Sequence, residues 1–112
     1  HIAYYDTADK DLRYATNKTG AWQVMAVDVE GDLGDHLGIA TGPSGVPHIA
    51  YRGYDPGVFR HARLAGPVWK RVELSKSSLG KGVDVEVGDD GTVHVVFANW
   101  DDKNLRHATA PP

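Results

Sequence analysis

The strongest constraint on this chain is that it repeats itself. His1-Ile2-Ala3-Tyr4, His48-Ile49-Ala50-Tyr51 and His94-Val95-Val96-Phe97 recur at separations of 47 and 46 residues. A second signature follows in step: Leu12-Arg13-Tyr14-Ala15, Phe59-Arg60-His61-Ala62 and Leu105-Arg106-His107-Ala108. A period of this size marks an architecture in which one small unit stacks against copies of itself. Copy one spans residues 1–47, copy two 48–93 and a partial copy three 94–112, all within one segment, 1–112.

The unit reads as sheet. His1 to Asp6 is rich in β formers and apolar on both faces, so a strand is expected there with other sheets on either side. Leu12 to Thr16 is its return strand, Trp22 to Asp28 a third, and Leu37 to Thr41 a short fourth. Between the last two lies an acidic, glycine-containing loop, Val29 to Asp35. Gly42-Pro43-Ser44-Gly45 is turn chemistry leading into the next copy. Copy two repeats the order, with a first strand at His48-Ile49-Ala50-Tyr51 and others at Phe59 to Leu64, Trp69 to Leu74 and Val83 to Val87. Copy three adds His94 to Asn99 and Leu105 to Thr109, for ten strands in all. No stretch carries an apolar stripe at helical spacing.

Four short antiparallel strands in 46 or 47 residues match the blade of a β-propeller. The expected fold is therefore all-β: a propeller segment of about two and a half four-stranded blades. Small residues such as Gly38 and Ala40 suit an inner strand. Tyr4, Tyr51, Phe97, Trp22 and Trp69 would fill the widening gaps between blades. The run from His-Ile-Ala-Tyr through Leu-Arg-Tyr-Ala to Gly20-Ala21-Trp22 and Gly42-Pro43-Ser44-Gly45-Val46-Pro47-His48 resembles bacterial propeller repeats of the form Pro-His-Ile-Ser-Tyr, Leu-Lys-Tyr-Ala, Trp. Those repeats are loosely similar to Asp-box and WD-repeat propellers. The resemblance implies a fold and says almost nothing of function, because propellers host many activities. A closed propeller needs at least about four blades. Further copies of this chain, or the rest of a longer one, are expected to complete the ring.

Composition narrows the function classes. A net charge of −3 argues against nucleic acid as a partner. No apolar run is long enough to span a bilayer, and no membrane partner is expected. With no cysteine there is no disulfide, thiolate nucleophile or cysteine-bound metal. The chain begins at His1 rather than Met, as a mature, trimmed or excerpted product does. Compartment is left open, with a secreted or cell-surface setting favoured and Asn17-Lys18-Thr19 as one glycosylation sequon.

The feature that points to binding is an aromatic followed by an acid in the first loop of each copy: Tyr5-Asp6, Tyr54-Asp55 and Trp100-Asp101. An aromatic plate beside a carboxylate is sugar-binding chemistry, the ring covering C–H groups while the acid accepts hydroxyl hydrogens. The leading expectation is a non-catalytic, lectin-like module that binds glycans. The alternatives are a protein-interaction scaffold, or part of a sialidase-like hydrolase with its catalytic residues elsewhere. No catalytic arrangement, cofactor or metal is expected. Equivalent positions on successive blades lie too far apart to share an ion. His1, His48 and His94 are therefore read as structural, each bonding blade to blade. Arg13, Arg60 and Arg106 are read as locking each blade through carboxylates or carbonyls. The acids Asp6, Asp9, Asp11, Glu30, Asp32 and Asp35 fit no calcium-loop spacing and read as a solvated face.

Overall fold

The computed structural model describes residues 1–76, 80, 82–99 and 103–112. Ten strands follow one another: β1 (Ile2–Asp6), β2 (Asp11–Thr16), β3 (Gln23–Asp28), β4 (Asp32–Thr41), β5 (Pro47–Asp55), β6 (Val58–Ala65), β7 (Val68–Ser75), β8 (Val83–Val87), β9 (Val93–Asn99) and β10 (Asn104–Ala110). Neighbours pair antiparallel in three sheets, β1-β2-β3, β4-β5-β6-β7 and β8-β9-β10. Among the described residues there is no helix, and none of these sheets is closed.

The sheets cut across the sequence copies. β4 ends copy one, yet it pairs along its length with β5, which opens copy two. The acidic stretch before it is also shorter as a loop than its composition suggests. Asp32 pairs with Asp55 and Leu33 with Gly53, so β4 begins at Asp32 and absorbs the irregularity as register shifts before His36. Bulges of this kind insert extra residues without ending a strand.

The sheets stack face to face, because each strand alternates its side chains between two faces. Leu12, Tyr14 and Val27 of the first sheet bury against Ile49, Tyr51, Val58 and Ala62 of the second. The other face of the second sheet offers Ala50 and Phe59 to Val85, Val93, Val95 and Phe97 of the third. The rings of Phe59 and Phe97 lie 4.8 Å apart. β5 is consequently buried from Pro47 to Gly53 without alternation, as a strand covered on both sides must be. β4 lies against β1 and β2 on one side and against β8 on the other. The result is a slab of 44 × 37 × 17 Å.

The outer sheets keep one face open. β1, expected to be covered on both sides, leaves Ile2 47% exposed, and Trp22 is 59% exposed rather than filling a gap. Its counterpart Trp69 is half-buried, edge-on to Tyr14 with centroids 5.0 Å apart.

Candidate functional site

One edge of the slab gathers the β1–β2 turn, the β3–β4 connection and the β5–β6 turn. Asp32 joins them. Its carboxylate accepts the hydroxyl of Tyr5 at 2.6 Å, while its backbone pairs with Asp55. The amide of Leu33 donates to the carbonyl of Lys10 at 3.1 Å, tying the first turn to the same place. Gly31 packs so tightly that a Cβ there would lie 2.1 Å from the carbonyl oxygen of Asp55, and its φ of +139° favours glycine independently. Tyr5, Asp6, Tyr54 and Asp55 therefore share an edge. Trp100 and Asp101 lie outside the described residues.

The four side chains are not equivalent. Tyr5 is half-buried and already engaged. Its hydrogen bond to Asp32, burial, and the charges of Asp32, Asp35 and Asp6 push its pKa up to about 12. Asp6 accepts from the amides of Ala8 and Asp9 and lies 3.2 Å from the guanidinium of Arg13, which is turn-capping and ion-pairing work. Tyr54 is different: it is 61% exposed at the end of β5, followed directly by Asp55 and the cis Asp55–Pro56 bond. The Arg52 guanidinium sits 5.7 Å from its ring centre, within cation–π range, and pairs with Asp35 at 3.0 Å. The Asp35–Arg52–Tyr54 relay was not legible as a unit. Its only sequence signal is that residues 52 and 54 share a strand face.

A second charged cluster sits between the first and second sheets. Asp28, at the end of β3, has a side chain with no exposed surface. It receives the hydroxyl of Tyr51 at 2.7 Å, Arg60 at 2.9 Å and Arg71 at 2.6 Å, one group from each of β5, β6 and β7. Burial works to raise its pKa. The hydrogen bonds from Tyr51, Arg60 and the Glu30 amide, with the charge of Arg71, outweigh that and hold it below the usual carboxylate range. Arg71 and Arg60 extend to Glu30 and Glu73, and these four line a depression of about 240 Å³.

The repeated histidines bond within sheets rather than between them. His48 Nδ1 meets His61 Nε2 at 3.1 Å with the rings nearly parallel, and His94 meets His107 in the same way at 3.1 Å. His1 instead bonds the hydroxyl of Tyr14. In each case the partner lies 13 residues on, across a hairpin. Among the described residues no group of three or more His, Asp or Glu could hold a metal ion. Arg13 and Arg60 do pair with carboxylates, Arg13 with Asp6, Asp9 and Asp11 of its own hairpin and Arg60 with Asp28 of the neighbouring sheet. Arg106 lies exposed on β10.

No protein-family model matches the chain, and none of the curated proteins searched matches it.

Proposed function

We propose that this chain is a non-catalytic binding module, a β-propeller segment whose edge at Tyr54 and Asp55 takes glycans. The propeller reading is supported by the face-to-face stacking of sheets around β4, and by the agreement between strand pattern and repeat. The glycan reading is carried by one observation: the ring of Tyr54 is 61% exposed, with an exposed carboxylate, Asp55, next to it. An exposed aromatic plate of that kind stacks on the apolar face of a pyranose while the acid accepts its hydroxyl hydrogens. Arg52 and its partner Asp35 hold the underside of the ring in place, which lowers the ordering cost of binding.

A glycan array with the whole chain tests this. Binding to at least one glycan class should fall at least tenfold in Tyr54→Ala while the circular dichroism spectrum is unchanged. An array with no signal, or signal that survives the substitution, overturns the reading. A protein-interaction scaffold is the second reading, favoured by Val68 and Val72, which leave β7 54% and 58% exposed.

A further inference from the structure

We infer that the outer edge of β7 docks the same edge of a second copy of this chain, the two strands pairing antiparallel about a two-fold axis at Val72. This edge owes nothing to where the sequence begins or ends. β7 lies in mid-chain, at the margin of the four-stranded sheet β4-β5-β6-β7, and among the described residues no strand pairs with its outer side. From Val68 to Glu73 it holds no proline and no bulge, the register shift coming only between Glu73 and Ser75. Such an edge presents a row of backbone donors and acceptors that another strand can take up.

The hairpin fixes which residues offer them. Ala65 pairs with Val68 across the two-residue turn Gly66-Pro67, with Gly66 at φ +61°. The pair that closes such a turn is hydrogen-bonded, and bonded and non-bonded pairs alternate from there. Trp69, Arg71 and Glu73 therefore turn their amides and carbonyls away from β6. When β7 pairs with its own copy, these residues must face one another.

Charge selects the register. Centring the axis on Lys70, Arg71 or Glu73 sets like charges directly opposite, which is destabilising. Centring it on Val72 sets Arg71 opposite the second copy's Glu73, and Glu73 opposite the second copy's Arg71. The two valines then meet on the axis. Arg71 keeps Asp28 on Nη1 at 2.6 Å, while its Nη2 lies 3.3 Å from Glu30, whose side chain is 63% exposed. Glu73 is 37% exposed and 3.9 Å from Arg60. These outer contacts are solvent-screened, so exchanging them for a facing partner costs little. β3, the outer strand of the first sheet, lacks this self-complementarity: Asp28 is its one charge, and it is buried against the second sheet.

Sedimentation velocity across a concentration series should show the whole chain reaching twice its 12.1 kDa mass. The sequence has no cysteine, so an introduced thiol reports the axis. Val72→Cys should give a disulfide-linked dimer on mild oxidation, because facing residues of a non-hydrogen-bonded pair have Cα atoms about 4.5 Å apart, within disulfide reach. Val68→Cys, similarly exposed but off the axis, should not cross-link. Glu73→Lys sets like charges opposite at two places and should weaken the dimer by about tenfold or more, with circular dichroism unchanged. If that variant fails to fold, the cysteine comparison decides. A chain that stays monomeric at every concentration, cross-linking as strong at position 68 as at 72, or a dimer indifferent to Glu73→Lys overturns the proposal. None of these readouts depends on glycan binding.

Discussion

Tyr51 donates its hydroxyl to Asp28 across the joint between the first two sheets, 2.7 Å from oxygen to oxygen, and both side chains are shut off from water. A carboxylate in that position is tolerable only because Arg60 and Arg71 supply opposite charge and the hydrogen bonds fill its lone pairs. Four strands from two sheets are pinned at one atom pair. The joint between the first and second sheets is pinned there.

Removing the acid should be far worse than removing the hydroxyl. Asp28→Ala leaves two guanidinium groups facing an apolar joint and should cost about 3 kcal/mol of unfolding free energy. Tyr51→Phe removes one hydrogen bond and should cost about 1–2 kcal/mol. Urea titration of the two single variants and the double variant measures both, and the double should lose less than the sum.

Stability should fall with acid in a window set by the histidine pair. Burial, the neighbouring His48 and Arg63 lower the pKa of His61 from 6.5 to about 4, and burial with Arg63 lowers that of His48. The unfolded chain takes up these protons first. The contribution of neutral His61, about 3 kcal/mol from that shift, is therefore present above about pH 6.5 and lost as pH falls towards about 4. Asp28, also held low, adds a further loss once pH drops below its unfolded value near 4. Denaturation midpoints between pH 4 and 7 should slope steeply in the wild type and flatten in His61→Phe.

Gly31→Ala should be destabilising by about 2–4 kcal/mol, since the added methyl meets the Asp55 carbonyl and the backbone there is left-handed. Gly66→Ala offers the control, with positive φ but nothing within 4 Å of its Cβ. Its cost should be about 1 kcal/mol. Thermal melts of the two variants distinguish a clash from a conformational penalty.

Trp69→Ala should cost about 3 kcal/mol, because the indole packs on buried Tyr14. Trp22→Ala should stay within about 0.5 kcal/mol, because the indole is exposed on the first sheet's outer face. Chemical denaturation at low micromolar concentration makes the comparison.

The strand pattern that recurs with His-Ile-Ala-Tyr and Leu-Arg-Tyr-Ala was enough to determine an all-β chain and the number of its strands, because a short β-forming segment bounded by turn residues has little else to become. It was also enough to bring Tyr54 and Asp55 to a hairpin turn. What sequence could not decide is which side of a sheet meets another sheet. Trp22 and Trp69 occupy the same place in their copies, yet one is bare and the other packed, since only the second has a sheet in front of it. Likewise Asp28 reads as an unremarkable strand end until Tyr51, Arg60 and Arg71 arrive 23, 32 and 43 residues later. The worth of a carboxylate, a ring or a histidine pair is set by what excludes water from it, and in this chain that is decided between sheets.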